Sequence, residues 1–137
     1  MDSSVLLRVV LGEPSRLRIW TRITSPVASE LIRVECQRAI DRARIRLHLD
    51  DENVAGRRAG VLEAIETFSL VPVGPRILER AAEPFPTILG SLGAIHLASA
   101  MLVREAFDDL SLATHDQELA LAARAVGFQV HGTATRS

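Results

Sequence analysis

Three acids far apart in the chain, Asp2, Glu35 and Asp116, each stand where a carboxylate can meet a ligand. Asp116 lies in Leu112-Ala-Thr-His-Asp116-Gln-Glu-Leu-Ala-Leu-Ala-Ala-Arg-Ala-Val-Gly127. That stretch reads as an apolar strand stopping at a Thr-x-Asp turn and entering an amphipathic helix. Leu119, Ala122, Ala123 and Val126 recur at helical spacing, and Gly127 suits a C-cap. In open α/β sheets, ligands gather at the carboxyl ends of strands. Asp2 precedes the apolar run Ser3-Ser-Val-Leu-Leu7, and Glu35 falls one turn after Leu31, facing the apolar side of its helix. Together the acids suggest a hard-metal site. Phosphodiester hydrolysis calls for one, because Mg²⁺ or Mn²⁺ activates a water and neutralises developing charge. Such ions take oxygen ligands, and bunched carboxylates repel one another unless a cation joins them. Singly, each acid also has a structural use. Asp2 and Asp116 can cap helices, and Glu35 can pair with Arg38 or Arg42.

The elements that must bring these residues together alternate along the chain. Helices are expected over Ser3–Leu11, capped by Ser3 or Ser4 and ending at Gly12-Glu-Pro14, and over Ser15–Ile23. Others are expected from an N-cap at Ser29 to about Ile45, and over Asp50–Thr67, Arg76–Ala82, Ser91–Ala106 and Gln117–Val126. Strands are expected over Thr24–Ala28, Phe68–Val73, Leu110–Thr114 and Phe128–His131, with Pro26 making the first irregular. This alternation predicts an α/β fold, a short parallel sheet flanked by helices in three layers. Asp2 follows the initiator directly, so no residues remain for the central strand with which a doubly wound domain usually begins. Either the chain starts late, or that strand has been lost or lies ahead of residue 1. Without it the sheet would expose backbone groups at its centre.

At 137 residues the chain reads as one domain with one core. Its formal net charge of −1 gives no global basic field, so a nucleic-acid partner would need a local patch. Arg33, Arg38, Arg42, Arg44 and Arg46 form such a patch on one helix, and Arg57 and Arg58 a second pair; the simpler use is a solvated face. The chain has one Trp and four Phe, too few for base stacking to be the main mode of RNA capture. The single cysteine, Cys36, cannot form an internal disulfide and fits a reducing compartment. It reads as a small buried apolar residue, and His96 as a hydrogen-bonded, partly buried side chain. His115 reads as exposed loop, and Thr114 as a strand-end hydroxyl bonded to nearby backbone. No apolar run approaches the ~18 residues of a membrane span, and no secretion signal opens the chain.

Four segments carry a resemblance. They are Asp2-Ser-Ser-Val-Leu-Leu, Ser29-Glu-Leu-Ile-Arg-Val-Glu35-Cys-Gln-Arg-Ala39, Leu92-Gly-Ala-Ile-His-Leu-Ala-Ser-Ala100, and the Thr114-x-Asp116…Leu119…Ala122-Ala123…Gly127 run. Their order and local sequence resemble the PIN-domain family, and within it the VapC-type toxins of bacterial toxin–antitoxin pairs, across nearly the whole chain. The resemblance implies a single PIN domain over residues 1–137, its first strand truncated. It implies an endoribonuclease using Mg²⁺ or Mn²⁺ bound by Asp2, Glu35 and Asp116, with Thr114 orienting the site through its hydroxyl. Arg38 and Arg42 are the candidate RNA contacts. A cognate antitoxin partner, a homodimer and a cytoplasmic location are also implied. One departure matters: the family pattern has Asp where this chain has Gly93. Glycine cannot ligate a metal, so weakened ion binding is expected. The alternative function is a PIN-fold protein that binds antitoxin or RNA without cutting.

Overall fold

The computed structural model describes residues 1–12, 17 and 20–134. Helix α1 spans Ser3–Val10 with Asp2, in extended conformation, at its N-cap position. A 3₁₀ turn covers Trp20–Arg22; the rest of the helix expected over Ser15–Ile23 falls largely outside the described residues. Strand β1 is Val27–Ser29 and runs into α2, Leu31–Leu47. The strand starts after Pro26, which supplies no N–H to a sheet, so the expected start at Thr24 moves inward. The cap residue of α2 is Glu30 rather than Ser29, although the Ser29 hydroxyl accepts the Leu31 N–H at 3.3 Å.

Helix α3, Asp51–Glu66, opens on Asp50, whose carboxylate accepts the Asn53 N–H at 2.8 Å. Strand β2 is Ser69–Val71, and α4, Pro75–Ala82, begins with a proline, where the missing N–H costs nothing. Helix α5, Ser91–Arg104, buries Ala94, His96, Leu97, Ala98 and Ser99 and packs against β1, α4 and α6. Its small and apolar residues let neighbours approach on several sides, which is why it reads as apolar nearly all round. Strand β3 is Leu112–Ala113, α6 is Gln117–Ala125 and β4 is Val130–His131. After α6 the chain turns at Gly127, whose φ of 94° favours a residue without a Cβ. Helix bounds thus follow the sequence closely, while each strand is shorter than its apolar run.

The sheet comes in two parallel pairs, β1–β2 and β3–β4, in place of one continuous sheet. Ala28 lies opposite Leu70, and Ala113 opposite His131. Met1 and Asp2 lie between the pairs. The Met1 ammonium donates to the Val27 carbonyl at 3.0 Å, and the Asp2 N–H donates to the Ala113 carbonyl at 3.2 Å. These two residues thus link the two strand pairs through their backbone.

Apolar packing follows the same division. Leu6, Ala28, Ile32, Cys36, Ile40, Val61 and Ile65 form one cluster among α1, α2, α3 and β1. Leu97, Leu112, Leu119, Ala122, Ala123 and Phe128 form another among α5, α6 and β3. Val5, Leu17 and Ala113, with Met1, Trp20 and Ile23 against them, join the two at the sheet's midline. No helix among the described residues is long and apolar enough to cross a membrane.

Candidate active site

The ends of α1, β3 and α6 meet around the Ser4 hydroxyl. It donates to Asp2 Oδ1 at 2.6 Å, accepts the His115 N–H at 2.8 Å, and lies 3.5 Å from Thr114 Oγ1. Thr114 is fully buried, and its hydroxyl accepts the Asp116 N–H at 3.0 Å. That bond is the local use expected of a strand-end threonine. His115 is tied down rather than loose in solvent. Its Nδ1 donates to the Gly132 carbonyl at 2.8 Å. Gly132 has a φ of 108°, and a Cβ there would overlap the Thr114 carbonyl oxygen, so only glycine fits beside this turn.

Glu35 approaches the same region from α2. Its Oε2 accepts from the Ser3 hydroxyl at 3.3 Å, and its Oε1 is paired with Nε2 of His96 on α5. The expected pairing of Glu35 with Arg38 or Arg42 does not occur. Arg38 bonds Asp41 at 3.1 Å on the exposed side of α2, and Arg42 is exposed. Neither arginine is joined to the acids among the described residues. Other partners take the groups instead: Glu35 Oε1 pairs with His96 across on α5, and Arg38 with Asp41. Asp116 caps α6, its Oδ1 accepting the N–H groups of Glu118 at 2.9 Å and Leu119 at 3.2 Å.

Burial sets the electrostatics. Asp2 is 7% exposed. Loss of solvent pushes its carboxyl above the ordinary value of 3.8, against the Ser4 hydrogen bond, the charge of His96 and the Thr114 hydroxyl, which favour the ionised form. Burial likewise holds the Met1 ammonium below its ordinary 8.0, with Asp2 pulling the other way. The Cys36 thiol is driven up to about 12, first by burial and then by the charges of Glu35 and Asp2. Cys36 is therefore no nucleophile here. The N-terminal ends of α1 and α6 both lie at the network; the α6 end is already capped by the Asp116 carboxylate, while α1 has no side-chain cap.

Ser4 and Thr114 thus link the Asp2 carboxylate to the Asp116 backbone, while Glu35 is bonded to the neighbouring Ser3 and to His96. The side chains of the three acids do not make a cation cage. Among the described residues, no three Asp, Glu, His or Cys side chains converge closely enough to hold a metal ion. Each carboxylate is already engaged by protein donors. Gly93 sits in the first turn of α5, one turn before His96, and contributes no oxygen. The residues as they stand do not fit a divalent ion. Four participants were not singled out from sequence for these roles: Ser3, Ser4, Gly132, and His96 as the partner of Glu35. Ser4 had a signal, since it follows Asp2 by two residues into a helix start. Gly132 had none that distinguishes it from any turn glycine.

Comparison with known proteins gives a consistent picture. The PIN domain family profile matches residues 1–125. Ribonuclease VapC46 of Mycobacterium tuberculosis (strain ATCC 25618 / H37Rv) is 34% identical over 133 residues, covering 95% of this chain and 93% of the relative. Ribonuclease VapC47 of Mycobacterium tuberculosis (strain CDC 1551 / Oshkosh) is 27% identical over 135 residues, covering 93% of this chain and 91% of the relative. No solved structure matches at a significant level.

Proposed function

This chain belongs to the PIN-domain family, and on that footing we propose that it is a VapC-like ribonuclease toxin. The observation that carries the reading is the Ser4 hydroxyl, which ties Asp2 to the Thr114 turn that leads into Asp116, with Glu35 bonded to the adjacent Ser3. Its substrate is RNA, its partner a cognate antitoxin, and its cofactor Mg²⁺ or Mn²⁺; for Asp2, Glu35 and Asp116 to hold the ion they must first release the donors that engage them here. A homodimer in the cytoplasm completes the proposal. Side chains such as Ile88, 86% exposed, and Phe107, 62% exposed, supply apolar surface for self-association. Arg38 and Arg42, exposed on α2, are the candidate RNA contacts.

A second reading is favoured by two specific observations, Gly93 and the lack of a three-ligand cluster among the described residues. In it the chain keeps the fold and binds antitoxin or RNA without cutting. A cleavage assay on RNA with Mn²⁺, comparing the wild-type chain with Gly93→Asp, decides between them. Cutting by the wild-type chain supports the first reading. Cutting by Gly93→Asp alone shows that the site is family-like and that glycine disables it. No cutting by either, with both chains folded, removes the ribonuclease reading for this chain.

A further inference from the structure

Helices α4 and α5 frame a cavity of about 430 Å³, within the roughly 300–1,000 Å³ of small-molecule sites. Ala98, Met101 and Leu102 of α5, at helical spacing, join Ile77 of α4 in lining it with hydrocarbon. His96 stands two residues before Ala98, roughly 200° round the helix, so the acid network and the cavity occupy different faces of α5. The rest of the lining is charged: Arg76, Arg80, Arg104 and Glu105. Arg76 reaches both oxygens of Glu105, at 3.1 and 2.8 Å, where both side chains are exposed. Arg104 is half-buried and has no carboxylate partner among the described residues. It donates to the Val126 carbonyl at 2.9 Å and lies 4.0 Å from the centroid of the Phe128 ring. Arg80, also half-buried, lies 4.3 Å over Phe85, donates to the Pro84 carbonyl at 3.4 Å and stands 3.7 Å from the exposed Glu83.

From this arrangement we propose that the α4–α5 cavity binds a phosphate monoester carried on an apolar or ring-bearing body, the chemistry of a mononucleotide. Three guanidiniums against one carboxylate leave two positive charges on the lining. A phosphate monoester, at about −1.5 to −2 near neutral pH, matches that excess, whereas a carboxylate offsets only half of it. The Val126 carbonyl uses one of the five donors of Arg104, and the remainder can fork onto phosphate oxygens. Stacking on Phe85 and Phe128 holds two of the planar groups in place before a ligand arrives, which lowers the ordering cost of binding. The hydrocarbon from Ile77, Ala98, Met101 and Leu102 suits a body that inorganic phosphate lacks. This site stands apart from the acids and does not rest on the ribonuclease reading.

Calorimetric titration of the full chain with adenosine 5′-monophosphate tests the proposal, beside inorganic phosphate and adenosine at the same ionic strength. The nucleotide is expected to bind saturably, about tenfold or more tighter than either fragment. Arg80→Met and Arg104→Met keep much of the hydrocarbon stem, and each is expected to weaken nucleotide binding about tenfold or more. Arg104 also holds the end of α6, so a melting curve accompanies its variant. If Arg104→Met does not fold, Arg76→Met/Arg80→Met on α4 carries the same test. Lack of saturable nucleotide binding at millimolar concentration overturns the proposal. So does equal affinity for the nucleotide and either fragment, and so does nucleotide binding unchanged in the folded arginine variants.

Discussion

Ser4 concentrates the chemistry of the site at one hydroxyl. Removing it leaves the His115 N–H without its acceptor and Asp2 without its shortest donor. Ser4→Ala is expected to cost about 1–3 kcal/mol, the usual range for stranding a buried polar group, read by urea denaturation. Asp2 itself gives a pH signature. Its folded carboxyl lies above 3.8, so the folded state holds that proton more tightly than the unfolded chain does. This contribution is fully present below 3.8 and is lost as pH rises through the elevated folded value, so at neutral pH the ionised group opposes folding. Asp2→Asn should therefore show a shallower fall in stability above about pH 4 than the wild-type chain, measured as melting midpoint against pH. Equal slopes would remove burial of Asp2 as the cause. Cys36, 0% exposed and with its thiol pushed up to about 12, should resist alkylation at pH 8 until the chain unfolds.

At the scale of elements, α6 is where structural and chemical uses of one residue can be separated. Asp116 caps the helix with one oxygen. Asp116→Ala should cost about 1 kcal/mol, whereas Asp116→Asn should keep most of that stability because an amide oxygen still caps. Ribonuclease activity that survives Asp116→Asn would show that the carboxylate charge is not needed for cutting. The helices were legible for related reasons. Asp50 before α3, Pro75 at the start of α4 and Gly127 after α6 are local signals, and local signals need no knowledge of the rest of the fold. Strands β3 and β4 were overcalled because a short apolar run does not reveal where pairing stops. Leu110 and Phe128 are apolar for core packing, yet both lie outside the paired residues. The partner of Glu35 was equally hidden. Its spacing to Arg38 and Arg42 suggested a surface pair, but a residue from distant α5 turned out to be closer.

The whole molecule is two small cores held across a midline. Leu6 and Leu119 lie in different clusters and are 0% and 1% exposed. Each substituted by alanine should cost about 2–5 kcal/mol. The Val5 cluster and the Met1–Asp2 bonds span the two halves, so urea should unfold the chain in one transition, with fluorescence of Trp20 and far-ultraviolet dichroism changing together. Separate midpoints would show that the halves melt independently. The alternation of helices with short parallel strands was legible from sequence. How the two strand pairs are bridged was not, because that depends on side chains around Trp20 reaching the midline.

Gly132 gives this architecture an unexpected point of vulnerability. It carries no functional group and lies past the last strand, yet any larger residue there would press on the Thr114 carbonyl and disturb the hydroxyl that holds the Asp116 backbone. If the chain is harmful to its host, colonies surviving its expression should include replacements at position 132 alongside those at the acids themselves. Sequencing survivors would thus map a silent hinge of toxicity that no inspection of polar residues would nominate.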